Sequence, residues 1–479
     1  MKLASVVLAA GLGKRMNSPL PKVLHTIHGI PMLQYILNAL YEMKPQKIIV
    51  IVGKHLNEIR ESIKKEGSIT FAYQEEAKGT GDALLKAWPA LKGLKGTVLV
   101  INGDTPLIIR ETLKKLLTLH RKRGNVISLL SFIAQDPASY GRIIRDEKGR
   151  VSSIVEDRDA TDIQRDIKEV NSGIYALESG AFHILKEIKL NESKGEYYLT
   201  DLISIARDKG MKADAFCIGS ESELMGVNTQ EELERASKSM KNRMIKRWMA
   251  RGVNFIDTVS VFISPETKIG KGTLIYPNVY LEGATWVGRK CTIYPNVRIQ
   301  DSIIGDEAVI KDSTLIECSI VKNKASVGPF ARVRPGSTIG QGARIGNFVE
   351  VKKSVIGSGT KAGHLSYLGD SKIGNNVNVG AGTITCNYDG YRKHITVIED
   401  NVFIGSDSQL IAPVRVGRGA YIGAGSTITK DVPSMSLAVS RIQQSNIKDW
   451  VRKRQLKVKN EKLKVKGAKS KEQRAKSTK

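Results

Sequence analysis

Three stretches of this chain combine residue types and spacings suited to chemistry. The first is the glycine-rich run Leu8-Ala9-Ala10-Gly11-Leu12-Gly13-Lys14-Arg15-Met16, followed by Pro21-Lys22. Such a turn lets backbone N–H groups approach phosphates, and Arg15 and Lys22 add fixed positive charges suited to a triphosphate. It is not a Walker loop, because Arg15 replaces the Ser or Thr after the lysine. Nor is it the dinucleotide fingerprint, because Met16 stands where a third glycine belongs. The second stretch is Asn102-Gly103-Asp104-Thr105-Pro106, in which Asp104 reads as a Mg²⁺ ligand or, more plainly, as an Asx turn capping the next helix. The third joins Gly363-His364-Leu365-Ser366-Tyr367-Leu368-Gly369-Asp370 to the polar run Gly380 to Lys393.

This third stretch suits acetyl transfer to an amine. His364 titrates naturally near working pH and fits a general base, set against the plainer reading of a structural histidine. Arg334, Lys352 and Lys393 supply cations for a sugar phosphate, and Tyr367, Asn378, Asn387 and Tyr388 supply hydrogen bonds. Backbone N–H groups near Ser406 suit a thioester oxyanion. Cys386 is a weaker idea as acyl carrier, since direct attack by the amine explains the histidine without it.

The elements that must position these residues are legible. Val6-Val7-Leu8, Lys47 to Val52 and Val98 to Ile101 read as buried strands. They alternate with helical stretches over Pro31 to Met43, His55 to Lys65 and beyond Arg110. The pattern is that of an open, mostly parallel, Rossmann-like α/β sheet, which binds ligands at the carboxyl ends of its strands. Thr229-Gln230-Glu231-Glu232 fits a capping box, and the charged segment to Ala250, free of Pro and Gly, reads as one connecting helix ending at Gly252.

Beyond it, aliphatic residues recur every six positions: Ile263, Ile269, Ile275, Leu281, Val287, Ile293, Ile299. The register slips by one residue to Ile304, Ile310, Ile316, slips again to Val321 through Val351, and returns at Ile398 through Ile428. Neither a helix nor an ordinary strand has this period; hexapeptide repeats of a left-handed parallel β-helix do, with about 18 residues per triangular coil. Glycine often follows the aliphatic residue, as at Gly270, Gly288 and Gly305, where positive φ and close backbone packing are expected. The faults in the register fall around His364 and Asn387, and loops thrown out from a rigid solenoid are where sites are built.

The expected division is a nucleotide-binding domain over 1–228, a linker helix over 229–252, a β-helix over 253–447 and a basic tail over 448–479. The net charge is +27, of which residues 451–479 contribute +11 from 13 Lys/Arg and two Glu. That tail has few apolar residues and is expected to be disordered. The remaining excess of positive charge suits polyanionic small substrates. Four scattered cysteines without metal-type spacing suggest reduced thiols in the cytoplasm, and no apolar run is long enough for a membrane span.

Leu8–Met16 with Pro21-Lys22, Gln74 with Gly79-Thr80, Gly103-Asp104, Gly141, Glu156, Asn171-Ser172-Gly173 and Gly226-Val227-Asn228 resemble the sugar-nucleotide pyrophosphorylases. With the hexad array behind them, residues 3 to 445 resemble the bacterial family of bifunctional N-acetylglucosamine-1-phosphate uridylyltransferase/glucosamine-1-phosphate acetyltransferases. The resemblance implies that Leu8, Ala9, Ala10 and Gly11 line the uridine nucleotide and that Gln74, Gly79 and Thr80 read uracil. Arg15 and Lys22 would hold phosphates, Asn102 and Gly103 would border the nucleotide, and Asp104 and Asn228 would hold Mg²⁺. Gly141, Glu156 and Asn171 would contact the amino sugar.

In the second half it implies His364 as proton acceptor, with Arg334, Lys352, Tyr367, Asn378 and Lys393 around glucosamine 1-phosphate. Ala381, Asn387, Tyr388, Ser406, Ala424 and Arg441 would contact acetyl-CoA. It also implies a homotrimer acting on UTP, acetyl-CoA and amino sugar 1-phosphates, with no obligate nucleic acid. One departure is Asp82, where many relatives carry His; it adds a negative charge near the base site. Two other readings are a pyrophosphorylase for another sugar, with the β-helix used for oligomerisation or regulation, and a nucleic-acid binder driven by the basic tail.

Overall fold

The computed structural model describes residues 2–11, 13–64, 69–137, 139–192 and 194–476, with backbone alone over 469–476. Leu12 of the glycine-rich run and Lys65, the expected end of a helix, lie outside the described residues. The chain divides into two compact units, Met1–Phe348 and Val349–Lys479.

In the first unit the strands are β1 (Lys2–Leu8), β2 (Lys47–Val52), β3 (Ile69–Tyr73) and β4 (Gly96–Asn102), then β5 (Ile127–Ile133), β6 (Glu169–Glu178) and β7 (Ala213–Cys217). They form a sheet in the order β7-β5-β6-β4-β1-β2-β3. Neighbours run parallel except around β6, which is antiparallel to both β4 and β5. The central strands are unbroken aliphatic runs because both of their faces are covered. Val7, Val50 and Ile101 pack with Leu33, Ile36 and Leu40 of α1 (Met32–Met43). Val6, Ile49 and Val100 face the other way, onto Leu84 of α2 (Thr80–Leu85). Leu113, Leu116 and Leu117 of α3 (Arg110–Arg123) join the first cluster. Leu8 pairs with Asn102 across β1 and β4, so the glycine-rich loop and the Asp104 turn leave the sheet side by side.

Helix α4 (Gln230–Ala250) begins at the expected capping box. Thr229 Oγ1 accepts from the Glu232 amide at 3.1 Å, and Glu232 Oε2 accepts from the Thr229 and Asn228 amides at 3.0 and 2.6 Å.

The hexads wind into stacked coils of parallel strands, the expected left-handed β-helix. In the first unit Ile263 pairs with Leu281 and Leu281 with Ile299, so each coil spends three full hexads. Across each register slip the coil is one residue shorter, as in Val287 with Ile304 and Ile299 with Ile316. The shortened corners carry Asp301 and Cys318 in the left-handed region, at φ 45° and 42°. The inward aliphatics are buried, and each coil's amides bond the carbonyls of the next. In the second unit Ile356 pairs with Ile373 across a shortened coil and Ile398 with Val416 across a full one. Ile373, by contrast, pairs with Ile398, more than a hexad beyond the usual return. The excess is the expected excursion: Tyr388 bridges back to Lys393, and Asp389 closes the tip by accepting from the Tyr391 and Arg392 amides.

Two expectations need correction. Gly270, Gly288 and Gly305 serve close approach, not positive φ. A Cβ on Gly288 would stand 2.7 Å from the Asp306 amide and 2.8 Å from the Gly305 carbonyl carbon. Positive φ falls elsewhere at the corners, on residues such as Asn278, Lys290 and Asn296. The basic tail is helical over α5 (Trp450–Lys476) instead of disordered. Its composition predicts little burial, and its large side chains from Trp450 to Val465 are indeed exposed. Local conformation follows helix propensity, and the segment is rich in Lys and Arg with no proline. Among the described residues no helix is long and apolar enough to cross a membrane.

Because the coils stack backbone on backbone at these glycines, Gly288→Ala is expected to cost about 1–3 kcal/mol through overpacking. Gly363→Ala, whose Cβ would meet nothing within 4 Å, serves as the control. Urea denaturation of both variants checks this, with a lower midpoint expected only for Gly288→Ala.

Candidate functional site

At the carboxyl ends of β1 and β4 the first unit opens a cleft of about 570 Å³. It is lined by the backbone run Leu8 to Gly11 with Gly13, by Lys22, Gln74, Gly79 and Thr80, and by Asn102, Asp104 and Glu156. Gly103 sits beneath it: its amide donates to Leu8 O at 2.8 Å, and a Cβ there would stand 2.9 Å from that same oxygen. Only glycine lets the two strand ends come this close.

Lys22, set by Pro21 at the start of a short helix, reaches across the floor. Its Nζ donates to Asp104 Oδ2 at 2.6 Å and to Asn228 Oδ1 at 3.0 Å. The sequence expectation places a metal ion on those same two side chains, and the residues fit one. Asp104 Oδ1 is buried with no hydrogen-bond partner, and carboxylate with amide carbonyl is an all-oxygen set that suits a hard divalent cation. Among the described residues no group of three or more His, Cys, Asp or Glu could hold a metal by itself. Glu232 fixes the backbone of Asn228 from the first turn of α4, so the linker helix also holds one side of the site.

Arg15 is exposed in the turn Lys14–Met16 and lies outside the residues lining the cleft; Lys14 lines it instead. Gln230 ties this turn down by donating to Met16 O at 3.1 Å.

Of the residues expected to contact the sugar, Glu156 lines the cleft, while Gly141 and Asn171 are not among its lining residues. Glu156 Oε1 accepts from Thr200 Oγ1 at 3.1 Å. Burial raises the Glu156 carboxyl above its ordinary range; the Thr200 hydroxyl opposes this, and Asp159, Asp201 and Glu196 add to it. Gly141 packs so tightly against Ile154 that a Cβ would stand 2.9 Å from Cγ2, and its carbonyl accepts from the Asn171 amide at 2.8 Å. Asn171 Nδ2 donates to Tyr175 Oη at 3.0 Å. Thr200, Tyr198 and Glu196 were not foreseen as site residues. Their signal was the polar and aromatic cluster Glu196-Tyr197-Tyr198-Leu199-Thr200-Asp201 in a chain with only 14 tyrosines.

In the second unit Lys352, Tyr367, Asp370, Asn387 and Lys393 come together. Lys352 Nζ stands 3.7 Å from Asp370 Oδ2, and Asn387 Nδ2 donates to the same oxygen and to Tyr367 Oη at 3.5 Å. Lys352 lowers the pKa of Lys393, chiefly by contact with its ammonium and by charge repulsion. Two cations are thus held close, as a phosphate dianion requires. Asn387, expected beside acetyl-CoA, sits with this cation cluster. Asp370 was missed as a site residue, yet coil length reveals it. It lies one coil after Lys352, whose carbonyl accepts from the Asp370 amide at 2.9 Å, and one coil before Asn387. His364 is exposed on the strand Lys361–Gly369, on the same strand as Tyr367. Asn378 is exposed one coil along, paired with Lys361. Arg334 lies in the first unit, where its carbonyl accepts from Ser319 and Ser337.

Four of the six residues expected beside acetyl-CoA line a corner seam. A Cβ on Gly380 would meet the Ser406 amide at 2.5 Å, and one on Gly405 would meet the Ala424 amide at 2.5 Å. Ala381 O accepts from the Asp407 amide, Ser406 O from the Gly425 amide, and Arg441 Nη1 donates to Ala424 O at 2.7 Å. Ala381, Ser406, Ala424 and Arg441 therefore follow one another up one corner. Tyr388 lies on the excursion, its hydroxyl donating to Gly390 O at 2.5 Å. Burial pushes the Cys386 thiol up, away from the thiolate an acyl carrier needs.

The Nucleotidyl transferase family matches residues 4–243, the GMPPB C-terminal domain residues 258–337, and the six-repeat bacterial transferase hexapeptide residues 395–430. The bifunctional protein GlmU of Thermodesulfovibrio yellowstonii is 52% identical over 450 residues, covering 94% of this chain and 99% of that protein. This chain belongs to the GlmU family. Two further GlmU proteins are 46% identical (Thermoanaerobacter pseudethanolicus) and 44% identical (Pelobacter propionicus), each covering 94% of this chain and 98% of the relative. Membership spans both units, so the cleft and the cation cluster belong to one bifunctional transferase.

The raised carboxyl of Glu156 has a consequence for stability. An acid whose folded pKa is raised binds protons more readily in the folded state, so its contribution is present at low pH and lost as pH rises through the folded value. Glu156→Gln removes that loss. Its melting temperature is expected to exceed that of the unsubstituted protein at about pH 8, with the gap closing toward about pH 4. Thermal melts across this range, read beside sugar turnover, check it; a lower melting temperature at the alkaline end contradicts it.

Proposed function

We propose that the chain makes UDP-N-acetylglucosamine in two steps. The second unit acetylates glucosamine 1-phosphate, and the first couples the product to UTP. The observation that carries this reading is a cleft over Lys22, Asp104 and Asn228 in the first unit together with a cation cluster in the second that includes Tyr367, from the strand that also carries His364.

In the acetyl step the sugar amine attacks the thioester carbonyl. A nitrogen–carbon bond forms, the carbon–sulfur bond breaks, and CoA leaves as its thiol. His364 accepts the amine proton, which then passes to the departing sulfur. Lys352 and Lys393 hold the sugar phosphate, while Tyr367 and Asn378 orient the sugar. The seam of Ala381, Ser406 and Ala424 takes the extended arm of acetyl-CoA, and Arg441 meets its phosphates. Among the described residues the Ser406 amide donates to no atom of the chain, which suits it to the oxyanion.

In the uridylyl step a phosphate oxygen of N-acetylglucosamine 1-phosphate attacks the α-phosphorus of UTP, and the bond to the β-phosphate breaks to release pyrophosphate. No protein nucleophile is needed, because positioning and charge neutralisation carry this kind of transfer. Asp104 and Asn228 would hold Mg²⁺, which would supply further neutralisation of phosphate charge. Lys22 holds phosphate oxygens, and the amides of the glycine-rich loop cradle the nucleotide. Glu156, Asn171 and Gly141 select the amino sugar, and Gln74 with Gly79 and Thr80 reads uracil. The protein works in the cytoplasm as a homotrimer.

Separate assays of the two half-reactions test this. His364→Ala is expected to slow acetyl transfer by about 10²–10⁴ and to leave uridylyl transfer intact. Asp104→Ala is expected to do the reverse, with a loss of about 100-fold or more. An unchanged acetylation rate in His364→Ala overturns the base assignment.

A further inference from the structure

The uracil side of the cleft holds a contact that the two-step reading does not use. Gln74 follows β3, is only 4% exposed and lines the cleft. Its Nε2 donates to Gly79 O at 3.2 Å and to Asp82 Oδ2 at 2.8 Å. Asp82 sits in the first turn of α2, itself mostly buried at 18% side-chain exposure, with Lys86 Nζ 3.7 Å away.

These two partners decide which way the amide faces. A backbone carbonyl and a carboxylate oxygen are acceptors only. Rotating the amide by half a turn would set Oε1 against two acceptors, one of them charged, inside a buried site. Both N–H bonds of Gln74 are therefore spent on the protein. Among the described residues Oε1 accepts no hydrogen bond from the chain, so the polar atom this side chain offers the cleft is an acceptor. Gly79 O alone is a neutral partner; Asp82 brings the charge that makes the reverse orientation costly.

We infer that Asp82 is a positioning residue for base selection: by holding the Gln74 amide nitrogen it leaves Oε1 to accept from N3–H of uracil and to reject cytosine. Uracil carries a proton on N3, whereas cytosine presents a bare acceptor there. A buried acceptor facing an acceptor rejects the wrong base far more strongly than a change of shape does. A methyl group at C5 leaves N3–H unchanged, so this device does not separate uracil from 5-methyluracil. The inference rests on the uridylyl reading of the cleft.

Equilibrium binding of UTP, CTP and 5-methyl-UTP to the full chain with Mg²⁺, measured by calorimetry, tests it. Binding is read instead of turnover so that failure of uridylyl transfer in the unsubstituted protein sinks the functional reading while base discrimination stays measurable. Asp82→Ala and the isosteric Asp82→Asn free the amide to turn. Both are expected to lower the UTP-over-CTP preference by about tenfold or more, with 5-methyl-UTP following UTP in every variant. A thermal melt and far-ultraviolet circular dichroism matching the unsubstituted protein verify that each variant is folded. An unchanged UTP-over-CTP ratio in the folded variants overturns the role of Asp82. So does a loss of UTP binding that 5-methyl-UTP does not share, since that marks a change of pocket shape.

Discussion

Each half of this protein is centred on a lysine held against an aspartate. Lys22 meets Asp104 at 2.6 Å, and Lys352 stands 3.7 Å from Asp370. In both pairs the side chains are only 14–15% exposed. The carboxylate partner offsets part of the hydration such a lysine loses, and the long side chain loses rotamer freedom before any substrate arrives. Both substrates of the proposed reactions are phosphates, and a fixed cation is what their binding needs. The aspartate also sets the neighbours: Asp104 shares Lys22 with Asn228, and Asp370 collects Asn387.

The folds deliver these pairs by different means. In the α/β sheet, the adjacency of β1 and β4 places the Lys22 loop and the Asp104 turn together, with Gly103 permitting the approach. In the β-helix, adjacency comes from the length of the coil. Each turn of the solenoid returns the chain to the same corner, so Lys352, Asp370 and Asn387 stack although each is far from the next in sequence. The excursion after Asn387 then brings Lys393 beside Lys352 without disturbing the coils above.

Much of this was legible in the residues because backbone hydrogen bonding imposes strict periods. The hexads foretold the coils, and even the one-residue slips at Asp301 and Cys318 reappear as shortened corners. The central strands were legible because doubly covered strands are continuous aliphatic runs. Side-chain partnerships were less so. The hold of Asp82 on Gln74, of Thr200 on Glu156 and of Asp370 on Asn387 depends on where turns and coils bring distant residues, which local pattern does not encode. The tail was misread because low apolar content reports lack of burial, while helix propensity acts within the segment itself. Of the two reasons expected for the glycines, close packing holds and positive φ does not, since contact with the next coil excludes a side chain there.

The central claim is that one polypeptide carries two transfer centres acting in sequence on one sugar phosphate. The most direct test supplies the purified full chain with glucosamine 1-phosphate, UTP and Mg²⁺, with and without acetyl-CoA, and follows nucleotide sugar by chromatography. The account predicts UDP-N-acetylglucosamine and pyrophosphate only when acetyl-CoA is present. Formation of UDP-glucosamine at a comparable rate without acetyl-CoA, or accumulation of acetylated sugar phosphate with no nucleotide sugar, contradicts it.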